Sequence, residues 1–235
     1  MKTASCLPVV FSVAFASILC AQTAPLRIEQ TVEARFPAAL AFSSLSEGEA
    51  RVVINVDADG KLIDWLVTGY TNKAFADEAV AVLKQWHYVP AIEKGQPVGV
   101  RLELCFAFEA RGRVVSLLAI ETPEVLFRQA GAGQRYITRV CHLQELDRPI
   151  APLNPASPVN PLQAGAPAEA RSVLVDFYID EHGQPRMPVV VNSPQTILAQ
   201  AAVDALNRWR FNAPTRGGKP MTVRVRQEFI FPGSS

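Results

Sequence analysis

The 235-residue chain has only three histidines, only four cysteines and a net charge of +1 at neutral pH. Each scarcity removes a class of function. A charge this close to balance supplies no basic field for nucleic acid and no acidic field for cationic partners, so no nucleic acid is expected to bind. His87, His142 and His182 fall at a helix end, in a linker and in a turn, and no catalytic triad follows from that distribution. Cys141 stands beside His142, but neighbouring side chains on extended backbone point apart, so the two are not read as a dyad. The acidic residues show no paired spacing suited to acid–base work. Neither an enzyme activity nor a cofactor is expected. The "GAG" at residues 131–133 lacks the Lys-Ser/Thr that follows a phosphate loop and reads as a break.

Long apolar runs are also scarce. "CLPVVFSVAFASILCA", residues 6–21, follows Lys2 and is shorter than the roughly 20 residues that span a bilayer. It reads as a secretory signal over residues 1–21, with cleavage after Ala21 preferred and Ala24 as the second position. The competing reading is an uncleaved anchor, against which Pro8 and the short span both count. Removing the signal takes Cys6 and Cys20 with it. Cys105 and Cys141 then sit in an oxidising compartment, where a single disulfide and two free thiols are both open.

What remains is a globular composition, 49% hydrophobic, enough for one large core or two small ones. "NVDADG", residues 55–60, has the start of a calcium loop but fails at its twelfth position, which is Leu66 where a bidentate Glu is needed. "YIDEHG", residues 178–183, fails with Val189. No metal is expected. Both segments read instead as hairpin turns, in which Asp bonds its own backbone and Gly supplies a positive φ.

The two turns mark a repeat. Asp57 aligns with Asp180 and Gly60 with Gly183 at a shift of 180 − 57 = 123, which without a gap also superposes Ala79 on Ala202, Leu83 on Leu206, Trp86 on Trp209, Gly95 on Gly218 and Phe106 on Phe229. Each copy begins with a β-rich run, "ARVVINVD" or "ARSVLVDFYID", and returns through "KLIDWLVTG" or "QPRMPVVVN". Pro185 and Pro188 restrict the latter to an edge or an irregular start. A helix follows, with Phe75, Ala79, Leu83 and Trp86 on one face, repeated as Leu198, Ala202, Leu206 and Trp209. Ser193 and Pro194 are read as N-cap and first helical residue. The last strand of each copy alternates, with Arg101, Glu103 and Cys105 facing out in the first and Thr222, Arg224, Arg226 and Glu228 in the second. The predicted fold is α+β, two tandem ββαβ modules, each a small antiparallel sheet with one helix packed on it. Their expected limits are residues 30–110 and 158–235. Residues 111–157 form the linker, whose Pro-rich end reads as a semi-stiff spacer.

These motifs together, the "VDADG" and "IDEHG" turns, "LKQWHYVPAIEKGQPV" and "LNRWRFNAPTRGGKPM", and the closing "FAF" and "FIF", resemble the C-terminal domain of TonB. The resemblance spans about residues 36–108 and 158–231. It implies a periplasmic protein that binds a short receptor segment on an exposed strand edge and is linked to TonB-dependent transport across the outer membrane. The implied partner is an outer-membrane receptor or another envelope protein. The residues expected to carry the contact are Arg101 and Glu103 in the first copy and Arg224, Arg226 and Glu228 in the second. The sequence departs from a full TonB: its apolar segment is short and has no His, and its Pro-rich piece separates two domains. A secreted or periplasmic binding module without energy transduction is therefore the alternative, and a homo-oligomer stays open. The second copy docking on the first, edge to edge, is a further expectation.

Overall fold

The structure, a computed structural model, describes residues 23–110, 118–119, 136–161 and 171–232. The expected signal, the "GAG" break and most of residues 111–135 lie outside them. Each copy consists of two strands, a helix and a third strand. The first has β1 (Glu47–Val56), β2 (Leu62–Tyr70), α1 (Lys73–Leu83) and β3 (Val100–Glu109). The second has β4 (Arg171–Ile179), β5 (Pro185–Asn192), α2 (Thr196–Arg208) and β6 (Thr222–Phe231). The first strand of each copy is central, flanked by its hairpin partner and, antiparallel, by the last strand. The registers coincide under the same shift: Val56 faces Val100, and Ile179 faces Val223. The α+β fold of two ββαβ modules stands as read from the sequence.

The Asp-x-x-Gly segments are turns in both copies. Asp57 Oδ1 accepts from the amides of Asp59 and Lys61 at 3.0 and 2.8 Å, and Asp180 Oδ1 accepts from His182 and Gln184 at 2.9 Å each. Gly60 and Gly183 have φ of +79° and +77°. Their second role is close approach. A Cβ on Gly60 would lie 2.4 Å from the Tyr88 carbonyl oxygen, and one on Gly183 2.0 Å from that of Phe211. The turn glycine and the aromatic after each Trp thus belong to one packing unit, written twice.

Apolar residues at helical spacing bury one side of each helix: Phe75, Ala79 and Leu83 in α1, Leu198, Ala202 and Leu206 in α2. The two Trp residues lie just past the helix ends and remain in the cores. The α2 start differs from expectation. The helix begins at Thr196, with Ser193 Oγ donating to the Gln195 carbonyl at 2.7 Å. The extended bias of a residue before proline and this local hydroxyl bond hold Ser193 and Pro194 in a bend ahead of the helix. Pro185 and Pro188 do fall on an edge strand, β5.

The Pro-rich segment is a second difference. Leu146, Ile150 and Ala156 pack on the second core, Asp147 accepts from the amides of Gly217 and Gly218 at 2.7 and 2.9 Å, and Pro152 bridges Phe211. Residues 146–156 form an arm of the second copy. The first copy has its counterpart in Arg27–Gln30, which pairs with His87–Val89. Prolines favour extended backbone whether it spans solvent or lies on a core, and the apolar residues between them decide for the core. Each arm is fastened by the indole N–H of its Trp: Trp86 donates to the Val32 carbonyl at 2.9 Å, Trp209 to that of Ala156 at 2.8 Å. Trp209→Phe is expected to cost about 1 kcal/mol for the lost hydrogen bond and some packing, with faster amide exchange confined to the arm. Equal acceleration across β4 and β6 would show that the indole supports the core instead.

Candidate functional site

The faces opposite the helices meet each other. Val53 and Leu66 of the first copy pack with Tyr178 and Met187 of the second and with Val140 between them. Contact is therefore face to face rather than edge to edge, because the helices already occupy the other faces and the edges are filled differently. Two ionic groups frame this small apolar patch. Arg186 on β5 reaches back to Asp64 on β2, with Nε 2.9 Å from Oδ2, and lies 3.5 Å from Asp180. Arg101 on β3 donates to the Met187 carbonyl at 2.8 Å and to Asp176 Oδ1 at 3.2 Å, and its guanidinium lies 5.2 Å from the centre of the Tyr178 ring.

Asp176 is the centre of the second group. Its side chain is 4% exposed and receives three guanidinium groups: Arg101 from the first copy, Arg224 at 2.7 Å and Arg226 at 3.3 Å from its own sheet. Burial pushes its carboxyl pKa up, but hydrogen bonds and charge from Arg224 and Arg101 outweigh this and hold it below the usual range. Met187, whose carbonyl Arg101 takes, has a φ of +50° at the point where the β4–β5 register slips.

A strap joins the two sheets. Ile137–Thr138 pairs antiparallel with Gly69 and Tyr70 of β2, and Val140–Cys141 pairs parallel with Thr222 and Val223 of β6. Between them the Arg139 amide donates to the Thr68 carbonyl, and its own carbonyl accepts from Thr222, each at 2.8 Å. The Arg139 side chain is paired with Glu181. Gly69 makes room for the strap, since a Cβ there would sit 2.2 Å from the Tyr136 hydroxyl. Arg51, Thr68 and Glu103 of the first copy, Tyr136 and Cys141 of the strap and Arg224 of the second copy line a cleft of about 680 Å³.

The outer edge of β6 is open beyond the strap. Because Thr222 turns its amide toward Arg139, strand alternation turns the backbone groups of Arg224, Arg226, Glu228 and Ile230 the same way. The strap ends its pairing at Val223, and among the described residues no strand pairs with that edge from Arg224 to Phe231. These four residues are also exposed.

The residues expected to bind a partner thus occupy unlike positions. Arg101 lies between the copies with its side chain 10% exposed. Glu103 accepts from the Thr68 hydroxyl at 2.7 Å. Arg224 and Arg226 lie against Asp176 yet remain more than half exposed, and Glu228 is exposed at the open edge. Thr222, expected to face out, is buried against the strap. Cys105 and Cys141 are free thiols in the structure, and burial raises the pKa of both. Sequence reasoning missed Asp176, Asp64, Arg186 and the strap. A signal existed for one of them: under the repeat shift Asp176 falls on Val53, a charge replacing an apolar residue on the same face.

A family model described as Gram-negative bacterial TonB protein C-terminal matches residues 33–110 and again residues 158–232, more than half of the chain. No curated protein matches it.

Proposed function

Because the chain belongs to the TonB C-terminal family, in two successive segments, we propose that it is a periplasmic interaction protein that takes up an extended segment of an envelope partner by strand addition and so serves TonB-linked transport. The family is one of protein-interaction domains of the cell envelope that meet outer-membrane receptors. The observation that carries the reading is the open edge of β6. Backbone N–H and C=O groups there, unpaired among the described residues, give a partner strand its hydrogen bonds, and Arg224, Arg226 and Glu228 beside them supply selectivity through cross-strand neighbours.

The alternative is an adaptor that binds a partner without transmitting energy. It is favoured by one observation: the apolar segment of residues 6–21 is shorter than the roughly 20 residues that span a bilayer and contains no His. The deciding experiment is photo-crosslinking from position 228 of the full chain in a Gram-negative cell. An outer-membrane receptor captured through its periplasm-facing segment, with capture lost when the proton gradient is collapsed, is the expected result. Capture indifferent to the gradient favours the adaptor, and capture of no receptor overturns the transport reading.

A further inference from the structure

We infer that the tandem chain offers one partner site and not two, on the second copy, and that the first copy, with its own edge interrupted, has become the support for its neighbour's. This rests on the strand-addition reading above. By symmetry of the repeat, β3 and β6 should present equivalent outer edges. They do not. Leu118–Ala119 pairs antiparallel with Leu104 and Cys105, in the middle of β3. The edge is thereby divided into two short stretches, Val100–Glu103 and Phe106–Glu109. A typical strand is about 5–6 residues long, and neither stretch accommodates one. In the first, the Arg101 side chain is also withheld from a partner, since it is 10% exposed and turned to Asp176 and the Met187 carbonyl.

On β6 the chain's own strand sits at the very start, at Thr222 and Val223, and among the described residues leaves Arg224 to Phe231 continuous. That edge is one on which this chain already performs strand addition on itself. A partner segment placed after Cys141 continues the same row of backbone groups, so the site is an extension of an existing pairing rather than a bare surface. The strap in turn is fixed to the first copy through Thr68, Gly69 and Tyr70. The first copy therefore contributes to the site by holding the strand against which the partner abuts.

The strap suggests its own probe: a synthetic peptide of residues 136–141 with Cys141→Ser, added to the full chain. Calorimetric titration with amide exchange read by mass spectrometry is expected to give one peptide per chain, with slowing confined to residues 224–231. Arg226→Pro removes an outward amide at an edge, where proline is tolerated, and should weaken binding at least tenfold with unchanged thermal unfolding. Glu228→Pro serves the same purpose should the first variant unfold. Two peptides per chain, or slowed exchange in residues 100–109, would overturn the single-site inference while leaving strand addition intact. Absence of binding anywhere would overturn strand addition itself, and the inference with it.

Discussion

Asp176→Ala is expected to lower the stability of the folded chain by about 3–5 kcal/mol, the usual cost of removing one partner from a buried ion pair. The loss comes mainly from Arg101. Its side chain is 10% exposed and, among the described residues, keeps only the backbone carbonyl acceptors of residue 176 and Met187 once the carboxylate is gone. Arg224 and Arg226 contribute little, because each is more than half exposed and turns to water. Urea unfolding measures the total. A double-mutant cycle with Arg101→Ala isolates the coupling, and a coupling near zero would mean that the copies are held by the apolar patch alone. The pH dependence has a definite sign. The folded carboxyl titrates below its unfolded value of about 3.9, so its contribution is complete above that pH and is lost as pH falls through the folded pKa. In the Ala variant that acid-sensitive part of the stability curve should be flattened.

Gly183→Ala is expected to cost about 3 kcal/mol, from two causes that can be separated. A positive φ costs an L-residue roughly 1–2 kcal/mol, and here the added methyl would also meet the Phe211 carbonyl oxygen at 2.0 Å, backbone that cannot rotate away. Gly218 provides the comparison, with a φ of +72° and nothing within 4 Å of the position a Cβ would take. Gly218→Ala should show the conformational cost alone. Equal losses at the two sites, measured by urea unfolding, would show that the turn relaxes away from Phe211.

The repeat made the fold legible. One shift aligned the turns, helices and last strands, and the same shift relates the registers of both sheets. The buried faces could be read because apolar alternation fixes which side of a strand meets the core. The other side could not. A polar face has the same sequence whether water, a partner or the rest of the chain covers it, and this is why Arg101 read as a surface residue although it is buried between the copies. The arm of the second copy was hidden by its prolines, which describe backbone conformation and not destination. The strap left no periodic trace, since two short pairings of opposite direction do not make a recognisable strand. The open edge was legible in kind, as outward-facing charge on the last strands, but its restriction to one of them was not.

The strap also bears on how a chain containing nearly the same module twice avoids assembling wrongly. Homologous neighbours are prone to exchange elements while folding, each completing the other's sheet. Ile137–Thr138 runs antiparallel to its neighbour and Val140–Cys141 parallel to its own. The strap is thus tied to both sheets at once, by pairings only one residue apart. A chain that exchanged an element of either sheet with a neighbouring molecule would have to give up one of these two pairings or stretch the single residue, Arg139, that separates them, so the strap favours closure within one chain.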